Sequence, residues 1–530
     1  MKRLFFVIII LLGITTSCTK NFEDFNTDKK RPVEVPGETL FANAQKALAD
    51  QEASTSVNLN VWKLWAQQWT ETTYTDEANY DIVNRNIANS VFQVYYRNIL
   101  MDLREARLVI DATVVDGTIA ETEKKNRLYI IDVLEVYCYA QLLETFGDVP
   151  YTEALDINNI YPKYDDALTV YKDLLTRLSA DVAGMDDSQG SFGDADLYMG
   201  GDVAMWKKFA NSMKVRIGIT IADGDNATAK AAVESGYAGA FAPDESCRLV
   251  YLDATNSNPL YQDMVQSGRD DFIPANTIVD IMNGLFDTRI LAYFSARGFS
   301  YERNSNNQII DTDLAGEGKC ILIYRDYLND NDSLVQVNLP FTALAKDSAN
   351  VFTYNIGGAY GESSAFTQYS HVAAPIQEPI YPSILIDGTE VSFYLAEAAE
   401  RGYSVGGTAA EYYNKGVTAS FTSWGLAGDA AAYLAKPEVA YTTATGTWKQ
   451  KIGLQAYLAY HVRGLVAYTT WRRLDFPILN LPPSITSYSE IPVRFTYPTR
   501  EQTINGTNYA AAASAIGGDE LTTKLFWDKF

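Results

Sequence analysis

Apolar positions recur at helical spacing through residues 38–243 and again through 389–530 of this chain. Residues 124–146 (KKNRLYIIDVLEVYCYAQLLETF) are apolar on nearly every face, which predicts a buried helix that Gly147 stops and Pro150 ends. Asp165 and Asp166 precede a single stripe of Ala167, Val170, Tyr171, Leu174 and Leu178, the pattern of a capped amphipathic helix. From 202 to 222 Trp206, Phe209, Ala210, Met213 and Ile217 share one face, and Lys207, Lys208 and Lys214 are expected to face away. Val391, Tyr394, Leu395 and Ala398 form another stripe, ending at Gly402; Tyr413, Val417, Phe421 and Trp424 form the next, ending at Gly425. Two such stripes with a short polar connection predict an antiparallel helical hairpin. Several hairpins in one chain predict a mainly α protein with a tetratricopeptide-like stack, although the 34-residue consensus is not clearly present.

Between residues 244 and 388 the texture changes. Asn, Asp, Gly, Ser and Tyr become dense, and periodic stretches are short apart from a helix expected over 276–294. Residues 355–369 (NIGGAYGESSAFTQY) are the most loop-like of all. The expected organisation is therefore a helical body (38–243 and 389–530) carrying a loop-rich insertion (244–388). A long loop-rich segment in a compact domain is usually retained for a function.

The N-terminus has its own logic. Lys2 and Arg3 precede an uninterrupted apolar run, LFFVIIILLGI, over residues 4–14. At ~1.5 Å per residue that run spans roughly 16 Å, half of the ~30 Å needed to cross a bilayer, so it reads as a secretory signal. It ends at Ser17-Cys18, the form of a bacterial lipoprotein processing site. Residues 1–17 are expected to be removed, Cys18 to be acylated, and the polar residues 18–37 to act as a tether. Each buried methylene contributes ~0.8 kcal/mol, and durable anchoring takes more than one acyl chain.

The chain has 530 residues, with 43 Lys and Arg against 66 Asp and Glu, a formal charge of −23 that disfavours nucleic acid as a partner. Its two histidines, His371 and His461, exclude a multi-histidine metal centre. Asp311 and Asp313 open a stretch resembling a calcium loop, but Ala315 and Leu322 stand where ligands belong, so neither a metal nor a cofactor is expected. No nucleotide-binding, nucleophile-elbow or zinc-protease motif occurs, which points away from an enzyme. A pair of acids for glycoside hydrolysis stays open as an alternative, because spacing in sequence does not reveal it. Cys138 reads as a small core residue; pairing of Cys247 with Cys320 is left open.

The positive chemistry is aromatic. Trp62, Trp65 and Trp69 lie at i, i+3 and i+7 on an expected helix, followed by a polar segment with Tyr74 and Tyr80. A sugar offers a C–H face for stacking and a hydroxyl edge for polar side chains, so aromatics beside Asp, Asn, Gln or Arg suit it. A tryptophan stripe at helical spacing is more often core. Trp69 near the helix end, Tyr74, Tyr80, and Tyr360 in the Gly-rich loop are therefore the candidates for ligand contact. Trp206, Trp424 and Trp471 are read as packing residues. Arg472 and Arg473 beside Asp475 could clamp an anion, but such a pair more often ties helix ends to neighbouring carboxylates.

Several segments together resemble the SusD/RagB nutrient-binding outer-membrane lipoproteins, in the SusD-like subgroup. They are ETFGDVPYTEAL (144–155), DVAMWKKFANSMKVRI (202–217), EVSFYLAEAAERG (390–402), EYYNKGVTASFTSWG (411–425), TTWRRLDFP (469–477), PVRFTYP (492–498) and LFWD (525–528), in order behind the lipoprotein signal. Thr288 departs from the pattern where a proline is usual, and residues 454–471 are less typical. The resemblance implies a SusD-like fold of tetratricopeptide-like hairpins with a loop-rich half carrying the ligand site. It also implies a non-enzymatic cell-surface lipoprotein, lipid-anchored in the outer membrane and facing the exterior. Such a protein captures an oligosaccharide, or a peptide, and delivers it to a SusC-like TonB-dependent transporter. The alternatives weighed against it are a lipid-anchored glycoside hydrolase and a helical interaction scaffold without a small ligand.

Overall fold

The computed structural model describes residues 35–530 except 254, 299–300, 304, 306–307, 312–317, 327–330, 340–343, 346–350 and 486–489. Cys18, the signal and most of the tether lie outside the described residues, as does Asp313.

Ten helices carry the body: α1 (Gly37–Ala53), α2 (Met101–Ala112), α3 (Thr118–Phe146), α4 (Ala167–Gly184), α5 (Val203–Thr220), α6 (Asn226–Gly236), α7 (Gly388–Glu400), α8 (Ala409–Ser423), α9 (Trp448–Ala459) and α10 (Gly464–Leu474). Helices adjacent in sequence pack in pairs, α1–α2, α3–α4, α5–α6, α7–α8 and α9–α10, and α7–α8 is the hairpin expected from the sequence. The ends follow local chemistry. Asp166 accepts the Thr169 N–H at 2.8 Å, Asp202 caps α5, and Thr408 and Thr447 form capping boxes with Glu411 and Gln450. Gly147 closes α3 at φ +90°, a conformation costly for any residue with a Cβ.

Two expectations are corrected here. Trp69 is not on a helix with Trp62 and Trp65. The helix ends after Trp62–Trp65 because Gln67 turns left-handed at φ +53°, and the chain continues into strand β1 (Trp69–Glu71). The Gln67 side chain holds that turn, donating to Asn480 O at 2.7 Å and accepting from Thr277 Oγ1 at 2.7 Å. Lys214 does not face solvent either. Helix α5 is wedged between α4 and α6 and also touches α3 and α7, so Lys214 is buried.

Residues 244–388 hold short strands and loops. The helix expected over 276–294 splits into Asn276–Gly284 and Ile290–Tyr293. Strand Gly318–Asp326 pairs antiparallel with Asn331–Leu339 and with Val351–Tyr354. Strand β2 (Phe272–Pro274) pairs with β1, setting Glu71 opposite Phe272 and Trp69 opposite Pro274. Cys138 and Cys247 are buried free thiols, so the Cys247–Cys320 pairing does not form.

The body is fastened by buried charge. Arg216 of α5 meets Glu144 of α3 at 2.9 Å and Glu390 of α7 at 3.7 Å. Arg473 binds Glu397 at 2.8 Å, and Arg401 joins Glu397 to Asp223. Arg472 donates to the carbonyls of Glu144 and Val493, each at 2.7 Å. Arg472 and Arg473 thus tie helices together from inside and present no clamp to a ligand.

Candidate functional site

Three segments distant in sequence meet beside the β1–β2 pair. The loop after β1 runs through Thr72, Tyr74 and Tyr80; Arg269 and Asp271 precede β2; residues 355–364 fold over both. Backbone hydrogen bonds join them: Thr72 N–H to Asp271 O at 2.9 Å, Ser364 N–H to Thr72 O at 2.9 Å and Asn276 N–H to Gly358 O at 2.8 Å. Gly357 passes so close to β2 that a Cβ would lie 2.6 Å from the Ala275 carbonyl, and Gly361 combines φ +75° with contact to Pro482. The loop is glycine-rich because the backbone packs there.

The four sequence candidates separate by depth. Tyr74 is 72% exposed and holds φ +56°, projecting its ring from the surface. Trp69, Tyr80 and Tyr360 are buried at 1–3% exposure, so their expected exposure is not found. Trp69 is an inward residue of β1, with its ring 6.1 Å from Phe272 and 6.3 Å from His461. Tyr80 receives a hydrogen bond from Gln67 at 3.2 Å, and its ring lies 6.2 Å from that of Tyr360. These three form the support under the Tyr74 loop.

Tyr74 stands at the edge of a depression of about 210 Å³ lined by Asn58, Glu71, Thr73, Arg85, Arg269 and Asp271 among others. Arg269 is held in a fork by Asp271, with Nε to Oδ2 at 2.6 Å and Nη2 to Oδ1 at 3.2 Å, and stays largely exposed. An exposed ring beside an oriented guanidinium, carboxylates and hydroxyls offers one stacking face and several hydrogen-bonding groups. Below it, Glu71 and Glu77 are buried; Glu71 accepts the Ala78 N–H at 3.0 Å, and Arg85 pairs with Glu77. Burial, reinforced by the Glu77 carboxyl, pushes Glu71 far above the usual carboxylate range. Sequence reading missed Arg269, Asp271 and the two glutamates: acids are abundant in this chain, and only the β1–β2 pairing brings these together.

The sequence matches the family described as "Starch-binding associating with outer membrane" over residues 29–345 and 323–498, and the chain belongs to this SusD-like family. Solved structures agree in fold. A chitin-binding SusD homologue from Flavobacterium johnsoniae is 20% identical, with TM-score 0.67, covering 93% of this chain and 97% of that one. A SusD homologue from Bacteroides uniformis is 22% identical, with TM-score 0.69 and coverage of 93% and 99%. A SusD-like protein from Bacteroides thetaiotaomicron is 19% identical, with the same TM-score and coverages. No curated protein matches the sequence. Among the described residues no helix is long and apolar enough to cross a membrane.

Proposed function

We propose that the protein is a cell-surface lipoprotein, moored in the outer membrane through acylated Cys18. In this reading it binds an oligosaccharide on the Tyr74 surface and delivers it to a SusC-like TonB-dependent transporter. The observation that carries the ligand half is the exposed Tyr74 ring at the rim of a polar depression, in a member of a starch-binding family. An open rim suits an oligomer, whose flanking residues must extend beyond the contact. The lipid anchor rests on Cys18 directly behind a short apolar signal.

Binding without hydrolysis is the favoured reading. Asp271 is engaged in the Arg269 fork, Glu71 is buried and accepts the Ala78 N–H at 3.0 Å, and the family is described as starch-binding. Arg269 and Asp271 would also suit a peptide, but the stacking face of Tyr74 favours a sugar ring. Calorimetry of the mature protein with maltoheptaose, chitohexaose and a mixed peptide pool tests this. Saturable heat with one glycan, lost in Tyr74→Ala and leaving the glycan uncleaved, is the expected result. Binding of the peptides alone, or cleavage of the glycan, overturns it.

A further inference from the structure

A second, larger cavity lies on the other side of Trp69. It encloses about 580 Å³, within the range of small-molecule sites, between the chain after α1, the end of α8, the α9–α10 connection and residues 373–389. Trp69 separates the two spaces: Phe272 lines the Tyr74 depression, while His461 and Lys63 line the cavity.

His461 is the unusual group in its wall. Its ring is 1% exposed, stacked on Tyr293 at 4.3 Å, with Phe294 edge-on at 5.0 Å and Trp424 at 6.0 Å. Neither ring nitrogen has a hydrogen-bond partner among the described residues. Burial, with a smaller contribution from the Lys63 ammonium, holds its pKa down to about 3, so the imidazole is neutral. Both nitrogens are covered by the surrounding rings, so the imidazole acts as an uncharged part of the wall, in contact with Trp424.

The charges around the cavity are largely committed elsewhere. Lys63 Nζ donates to the carbonyls of Ser54 at 2.9 Å and Ala53 at 3.2 Å. Arg463 pairs with Asp387 at 3.1 Å and with Glu390, and Glu245 pairs with Lys208. Arg248 and Asp244 also line the cavity, one charge of each sign. Trp424, partly buried, offers a ring to the interior. An uncharged, hydroxylated ligand fits this lining better than an anion or a cation.

We infer that this cavity is a second binding site, for an uncharged mono- or disaccharide, with Trp424 stacking on its C–H face, the Thr422 and Ser423 hydroxyls meeting its own, and the His461 ring behind Trp424 reporting occupancy. The inference rests on reading the protein as a carbohydrate binder, and adds a place for a short sugar distinct from the surface that grips a longer chain.

The two histidines make the test direct. The mature protein, labelled with ¹³Cε1-histidine in a deuterated background, is titrated with maltose and with N,N′-diacetylchitobiose. His461→Phe serves to assign the signals. The expected result is a saturable shift of the His461 signal with one disaccharide, retained in Tyr74→Ala and abolished in Trp424→Ala. Trp424→Ala should leave calorimetric binding of the longer glycan at wild-type strength. A His461 signal that stays fixed, or a shift that disappears in Tyr74→Ala, overturns the second site while the surface reading stands. Absence of heat with every glycan overturns both.

Discussion

Arg216 and Glu144 meet at 2.9 Å with both side chains 1% exposed, joining α5 to α3 inside the stack. Removing one partner of such a pair leaves a buried charge uncompensated, which costs about 3–5 kcal/mol. Arg216→Met strands Glu144, while Glu390 keeps Arg463, and urea unfolding at neutral pH should show a loss of that size. Adding Glu144→Gln should recover part of it; a double variant less stable than the single one would contradict the account.

Tyr74 is mostly solvent-exposed, so its loss should leave stability alone and cost affinity. Tyr74→Ala is expected to weaken glycan binding by about 2 kcal/mol, roughly 30-fold, as for an aromatic anchor. Tyr74→Gly should bind equally poorly but unfold at a slightly higher temperature, since glycine accepts φ +56° without strain. Calorimetry and a thermal melt separate the two effects.

Glu71 is held protonated in the fold, because burial and then Glu77 raise its pKa above the ordinary value of 4.5. Its stabilising contribution is complete below the unfolded pKa and is lost as pH rises toward the folded one. Glu71→Gln fixes the neutral form, so the variant should melt about 2 °C above the native protein at pH 8 and level with it at pH 4. Equal melting temperatures at both pH values would refute a protonated Glu71.

His461 works in the opposite sense. Its folded pKa is lowered from 6.5 to about 3, chiefly by burial, so its stabilising contribution is present above pH 6.5 and lost as pH falls toward 3. The slope approaches about 1.4 kcal/mol for each pH unit. Denaturation of His461→Phe between pH 6.5 and 4 should show a flatter dependence than the native protein; parallel curves would count against a neutral buried imidazole.

Cys18→Ala tests the anchor. Expressed with its signal in a Gram-negative host, the variant should leave the membrane fraction and lose acyl mass, while glycan binding by the purified protein stays unchanged. Retention of the variant with the membranes would require another attachment.

The fold was legible because the segments that resemble the family carry the buried charges that join α3, α5, α7 and α10. Glu144, Arg216, Glu390, Glu397, Arg472, Arg473 and Arg494 all fall within them. Each of these side chains finds its partner in the interior, so the pattern reports architecture. The site was legible only in part. Tyr74 could be singled out as an aromatic in polar company, but Trp69 and Tyr80 share that description and turn inward. Their depth depends on the left-handed turn at Gln67 and on the β1–β2 pairing, both set by distant residues. His461 gave no signal, because a single histidine in an aromatic stretch looks the same whether its nitrogens are partnered or bare.

The loops that frame Tyr74 are held by main-chain bonds from Thr72, Ser364 and Asn276, whose strength is indifferent to side-chain identity. Residues presented on that face can therefore be exchanged without loosening what lies beneath. A lineage moving from one dietary polymer to another could rewrite its menu there and inherit the scaffold unaltered.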